Sequence, residues 1–263
     1  MFATTLSPAA PQAHGVGMSR WRASAIHLAL SATIATIVIV GMYGLWYPPP
    51  YFDLMGGGTL VMLIVGCDVV IGPLITLIIF RAGKRGLRFD LTVIGLVQSA
   101  ALVYGLSMMF EVRPVFTVFA VDRFEIMTPT DIKPENLAQA SSPEFASFSL
   151  TGPRVVGARL PTDPKDKEKV LFNEFGGDLA ALPRFFVPYE EIAPEAAKRV
   201  KGIDALEKKN PDAKPRIEEA LRKAGATRDK VGYVPMVGAF KSMAAVLDNT
   251  TGRLVTVIDA NPW

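Results

Sequence analysis

One acid interrupts the apolar run Val65-Gly66-Cys67-Asp68-Val69-Val70-Ile71-Gly72-Pro73-Leu74. A lone carboxylate among aliphatic residues has three chemical uses: proton transfer, a hydrogen bond that fixes packing, or recognition of a polar group on a partner. The rest of the chain offers little support for the first. Its two histidines, His14 and His27, both precede residue 28, so residues 112–263 hold neither a Ser-His-Asp nor a Cys-His unit, nor the His/Cys sets typical of zinc. Gly56-Gly57-Gly58-Thr59-Leu60 lacks the Lys and the spacing of a phosphate loop. Asp248-Asn249-Thr250-Thr251-Gly252 lacks the alternating ligands of a calcium loop and reads as a hairpin turn. The pairs Glu190-Glu191 and Glu218-Glu219 stand in charged contexts, as on solvated helix faces. These residues assign no catalytic group, no metal ligand and no cofactor.

The element that carries Asp68 belongs to a set of three. Residues 23–47, 59–80 and 91–110 are almost free of charge, and each is close to the roughly 20 residues a helix needs to cross a ~30 Å hydrocarbon core. A soluble helix of that length would show a polar face, and none of these does. They read as transmembrane helices. Charge divides the chain in the same way. Of 28 basic and 25 acidic residues only six and four fall in residues 1–111, leaving 22 and 21 for residues 112–263. That second region is charge-rich yet nearly neutral, which argues against a nucleic-acid partner despite a sequence pI near 8.9. The expected architecture is a membrane α-helical region of three spans within residues 22–111, followed by an extracytoplasmic α+β domain over residues 112–263.

Helix rise sets the depth of the polar groups. At 1.5 Å per residue Asp68 lies ~18 Å from the cytoplasmic end of span two, Gln98 ~13 Å from that side in span three, and Ser31 and Thr33 ~13–17 Å in span one. All four share a depth band. A charged Asp near mid-bilayer costs ~2.5–3.5 kcal/mol even on the lenient insertion scale, so Asp68 should face protein. Two roles stay open for it: a hydrogen bond to Gln98 or Ser31 that fixes helix packing, or a docking point for another protein's membrane helix. Pro73, after Gly72, lacks the donor to residue 69 and is expected to bend the span.

Loop charge sets orientation. Arg81, Lys84, Arg85 and Arg88 crowd the loop between spans two and three, whereas residues 48–58 hold one acid and no base. By the positive-inside rule the N-terminus and residues 81–88 are cytoplasmic, and residues 48–58 and 112–263 lie outside, in the periplasm of a bacterial inner-membrane protein. The first stretch is too long for a signal-peptide core and reads as a retained span, closed by Trp46, Tyr47 and Tyr51 in the headgroup layer. Residues 1–21 read as a disordered cytoplasmic tail, with Met18 an alternative start to Met1. The one cysteine, Cys67, is in span two, so the outer domain has no disulfide, and about 150 residues can hold a core without one.

Within that domain residues 114–127 read as one extended strand, 154–161 as a short strand, 194–210 as a helix opening at Pro194, and 214–225 as a helix with Ile217, Ala220, Leu221 and Ala224 on one face. Residues 128–152 read as loop or short helix. Residues 242–260 form two β-prone runs around Asn249-Thr250-Thr251-Gly252.

The run "YPPPYFDLMGGGTLVMLIVGCDVVIGPLITLIIFRAGKRGLRFDLTVIGLVQSAALVYG" (47–105) resembles the type IV pilin accessory proteins, the TfpX/TfpZ and FimB-like group. The resemblance continues through "RPVFTVFAVDRFEIM" (113–127) and the closing "YVPMVGAFKSMAAVLDNTTGRLVTVIDANPW" (233–263), with Asn-Pro-Trp where Asp-Pro-Trp is usual. Residues 128–230 carry no part of it. The resemblance implies a non-catalytic inner-membrane protein that associates with the major pilin, and with other pilus-assembly components, to promote or modulate pilus assembly. Two other classes are kept beside it. One is a membrane-anchored periplasmic ligand sensor that signals through a separate effector. The other is a membrane transferase, for which Tyr51 and Asp53 are the nearby polar groups.

Overall fold

The computed structural model of the chain describes residues 18–263. The disorder expected before Met18, and the choice of start, lie outside the described residues. Ser19 opens the first helix: its hydroxyl accepts from the Arg22 amide and its carbonyl from the Ala23 amide, so Arg20 and Trp21 are helical rather than part of a tail.

Three helices are long and apolar enough to cross a membrane: Arg20–Trp46, Gly57–Ile79 and Leu87–Glu111. Each corresponds to one expected span. The first ends in a wide π turn over Met42–Trp46, and the second contains another over Gly66–Ile71, just ahead of Gly72 and Pro73. Pro73 has no N–H, and its ring would press on the carbonyl of residue 69 in a regular α turn. Widening the preceding turn relieves that crowding, so the sequence expected to bend the span coincides with a π segment.

The chain forms two compact units. One comprises residues up to Ala35 with Ile64–Leu102, the other Thr36–Leu63 with Val103–Trp263. The second contains an eight-stranded mixed sheet: β1 (Phe116–Ala120), β2 (Arg123–Met127), β3 (Arg154–Ala158), β4 (Phe186–Pro188), β5 (Lys201–Gly202), β6 (Val231–Val237), β7 (Ser242–Asp248) and β8 (Leu254–Ile258). Their order is β4-β3-β1-β2-β6-β7-β8, with β5 also paired to β6. The pairs β1–β3 and β2–β6 are parallel and the others antiparallel.

Every residue of β1 is buried, and its two-residue period divides two cores. Phe119 joins Phe124, Tyr189, Ile192, Met236, Met243 and Leu247 on one face. Phe116, Val118 and Ala120 join Phe145, Val156, Leu179 and Phe186 on the other. A third cluster forms where Leu206, Ile217 and Leu221 of two short helices cover Tyr233, Val246 and Ile258. Ile217 and Leu221 are thus the buried face expected of the helix Lys214–Lys223, which stops at Gly225 with φ +62°. Ala224, expected on that face, is exposed.

Three expectations change. Residues 114–127 are not one strand but a hairpin: Val121 takes φ +61° and the Asp122 amide donates to the Ala120 carbonyl, a γ-turn that folds β1 back onto β2. The helix expected over 194–210 is two, Tyr189–Ala197 and Ile203–Lys209, because Lys201 and Gly202 leave the helical path to pair with Tyr233 and Gly232. Pro194 lies inside the first of them rather than at its start. Finally, Tyr47 and Tyr51, expected to face the headgroup layer, turn their side chains into the protein. Tyr47 is 0% exposed with its hydroxyl donating to the Met109 carbonyl, and Tyr51 lies in the first core accepting from the Thr117 hydroxyl. Residues 48–58 are a structural insert of the sheet unit: Leu54, also 0% exposed, packs in the same core, and its carbonyl accepts from the Phe240 and Lys241 amides.

Candidate functional site

In the first unit Ser24, His27 and Ser31 follow at i, i+3 and i+7, which puts them on one face of the first helix. That face meets the second helix. The Ser24 hydroxyl donates to the Pro73 carbonyl at 2.9 Å, and His27 Nδ1 shares a hydrogen bond with Thr76 Oγ1 at 2.6 Å. Asp68 is 9% exposed and borders a cavity of about 110 Å³ with His27, Ser31, Gln98 and Ser99, closed by Leu30, Ile34, Gly95 and Leu102. The Gln98 amide donates to the backbone carbonyl of Asp68 at 3.4 Å and not to its carboxylate. Gly72 permits this approach, since a Cβ there would stand 2.0 Å from Gln98 Nε2.

Asp68, Gln98 and Ser31 are therefore brought together as their depths predict. Thr33 is not: it is exposed and bonds its own turn at the Ala29 carbonyl. Pro73 takes part through its carbonyl, which accepts from the Ser24 hydroxyl. His27 and Thr76 join them, and the 24/27/31 spacing is a polar stripe visible in the sequence. The cavity offers a carboxylate, an amide, an imidazole and hydroxyls to a polar guest within an apolar surround. Among the described residues no group of three or more His, Cys, Asp or Glu could hold a metal ion. Arg81, Lys84, Arg85 and Arg88 are all exposed around the turn after the second span, where Lys84 pairs with Asp90 at 2.6 Å.

The second unit carries a separate crevice of about 400 Å³, outside the carboxyl ends of the parallel strands β1 and β3. Phe119, Ala158 and Ile192 floor it, and Arg159, Lys198 and Arg199 supply positive charge. Arg159 lies 3.6 Å from Glu191 and 4.0 Å from Glu195, a weakly engaged guanidinium. The exposed, positive-φ Val121 sits at its margin. Tyr51, one of two groups considered for transfer chemistry, is committed to the core, where burial pushes its phenol above the ordinary value. Asp53 is exposed.

Three spans, a polar cavity among them and an additional mixed sheet unit define a multi-pass membrane protein with a soluble domain. Comparison with known proteins identifies it further. The profile of the fimbrial assembly protein FimB matches residues 17–56, the first span and most of the insert. The fimbrial assembly protein of serogroup I from Dichelobacter nodosus is 31% identical over 244 residues, covering 91% of this chain and 95% of that protein. Its serogroup E1 counterpart is 30% identical over the same shares, and the protein of serogroups C1 and C2 is 38% identical over 119 residues, 44% of this chain and 91% of that one. No solved structure matches the chain significantly. The chain belongs to the fimbrial assembly protein family, a type IV pilin assembly accessory family.

Proposed function

We propose that this protein acts in type IV pilus assembly, from the bacterial inner membrane, as a non-catalytic partner of the pilin subunit. The N-terminus and residues 81–88 lie in the cytoplasm and the sheet unit in the periplasm, as the four exposed bases of that turn favour. A pilin awaiting assembly offers one apolar helix and a soluble head. The helix bundle takes the first and the sheet unit the second, and two linked weak contacts give avidity without new chemistry.

The observation that carries this reading is the cavity at Asp68. A carboxylate that accepts no side-chain hydrogen bond among the described residues, beside Gln98 and the Gly72-Pro73 step, is a poor packing device and a good docking point. The experiment is site-specific crosslinking to the major pilin together with surface piliation. Asp68→Ala and Pro73→Ala proteins, present at wild-type levels, should lose the intramembrane crosslink and pilus number. Normal crosslinking and full piliation in both would refute the membrane half of the proposal.

The crevice at Arg159, Lys198 and Arg199 favours a second reading, an anion-responsive sensor acting through another protein. Small carboxylates or phosphates that raise the thermal midpoint of the wild-type chain, but not of Lys198→Ala/Arg199→Ala, would support it. Equal midpoints would remove it.

A further inference from the structure

The sheet unit includes the ends of the spans, and aromatic residues gather there. Tyr43 and Phe52 lie with ring centroids 5.4 Å apart, and Trp46 meets Phe110 edge-on at 5.3 Å. Amphipathic or aromatic rings at helix ends mark the membrane–water boundary. Two loops of the sheet unit are tied to this layer by their backbones. In residues 149–152 the Gly152 amide donates to the carbonyl of Leu45, one residue from the end of the first span, at 2.7 Å. Arg113, buried, bridges the Ser149 carbonyl and that of Phe110 in the third span. In residues 238–241 the Phe240 and Lys241 amides both donate to the Leu54 carbonyl, at 3.0 and 3.3 Å. The Phe240 ring lies over Gly56, where a Cβ would come within 3.1 Å, and the second span begins at the next residue.

Each loop then presents one large apolar side chain to its surroundings: Leu150 is 66% exposed and Phe240 67%. The backbone groups that hold these loops, at Leu45 and Leu54, are one and three residues from the ends of two spans, the level at which a helix leaves lipid for headgroups. We propose that the sheet unit rests on the bilayer surface through these two loops, with Leu150 and Phe240 inserted among the lipid headgroups beside Tyr43, Trp46 and Phe110. The occupant of this rim is lipid, because the rim is continuous with helices whose own solvent is lipid. An apolar side chain at that level gains by leaving water, and the neighbouring cation Lys241 suits an anionic headgroup layer even while it pairs with Asp259 at 3.0 Å. The contact would hold the unit against the membrane, restricting the direction in which its crevice and sheet edges face. It depends on the spans and not on the identity of the pilus partner.

The protein contains its own control. Leu171 and Phe172 are as exposed, at 70% and 71%, but they close a short helix bearing the exposed Lys165 and Lys167, with no bond to a span end. The full chain in lipid nanodiscs, with Cys67→Ser as background, can carry a nitroxide at Leu150→Cys, Phe240→Cys or Phe172→Cys. Collision with apolar oxygen against a water-soluble nickel chelate then reports depth. Oxygen should dominate at 150 and 240, and the chelate at 172. If either loop position behaves as position 172 does, the two-loop contact is refuted, including the case where a protein partner rather than lipid covers the rim. A labelled protein that unfolds at a lower midpoint than its background is replaced by Leu150→Trp or Phe240→Trp. Quenching of the added fluorescence by headgroup-proximal brominated lipid supports the contact, and its absence overturns it.

Discussion

Leu54 tests whether the insert between the first two spans is structural. Its side chain is fully buried in a cluster with Tyr51 of the same insert and with Phe124, Met236 and Met243 from segments far away in sequence. Leu54→Ala keeps the backbone carbonyl that receives Phe240 and Lys241, so the loss isolates packing. Removing three buried carbons at ~0.8 kcal/mol each costs about 2.4 kcal/mol. A residual cavity of ~60 Å³ would add about 1.4 kcal/mol at ~24 cal/mol per Å³. Relaxation is limited because Gly238 already abuts this residue, a Cβ there being 2.4 Å from the Leu54 carbonyl oxygen. A destabilisation of about 2.5–4 kcal/mol lowers the thermal midpoint of a unit this size by roughly 5–16 °C. The assay is near-UV circular dichroism of the purified full chain in detergent, with pulse proteolysis of the sheet unit. Asp53→Ala, one residue away and exposed, should stay within ~0.5 kcal/mol of wild type. Equal midpoints for Leu54→Ala and Asp53→Ala would mean that residues 48–58 are an ordinary external loop.

Three further outcomes follow from the same coordinates. Burial pushes the Tyr47 phenol up to about 12, with the Arg113 charge opposing. The unfolded chain therefore releases this proton first, near pH 10, and up to about 2.7 kcal/mol of stability drains away between pH ~10 and ~12. Denaturation midpoints over that window should fall more for wild type than for Tyr47→Phe. Gly252→Ala should cost more than about 2 kcal/mol, because φ is +72° and the new Cβ would meet the Ala193 carbonyl oxygen at 1.8 Å. Gly225→Ala, at φ +62° with open space around it, should cost about 1 kcal/mol, and equal values from denaturant titration would refute the clash. Asp248 accepts from the Thr250 and Thr251 amides and the Thr251 hydroxyl, which hold its carboxyl below the ordinary value. Its contribution is present at neutral pH and lost as pH falls through that depressed value, an acid-dependent step that Asp248→Ala should abolish in stability measured against pH.

What could be read without coordinates follows from which solvent each segment meets. A helix in lipid must be apolar on all sides and about as long as the hydrocarbon is thick, so the three spans declare themselves, and a polar residue within them is conspicuous. Asp68 and Gln98 were legible for that reason. His27 is less conspicuous, because an imidazole near the start of a span is not charged like Asp68 and its partner Thr76 lies 49 residues away on another helix. Inside the sheet unit local signals succeed where a local device sets the geometry, as at the Asp248–Gly252 turn, and fail where distant contacts do. Nothing in Pro48–Met55 announces that Tyr51 bonds Thr117, 66 residues away. Val121 is a poor choice for a positive φ, and only the pairing of β1 with β2 holds it there. Pro235 argues against a central strand, yet β6 carries it opposite Ala244 of β7, in the gap on its other edge between the pairing to β5 at residues 232–233 and to β2 at residues 236–237. The insert lies where the ends of the spans join the sheet unit, the interrupted strand where that sheet changes partner, and the strained turn at the tip of the β1–β2 hairpin. Long-range packing overrides local preference at those seams, and the proposed lipid contact belongs to one of them.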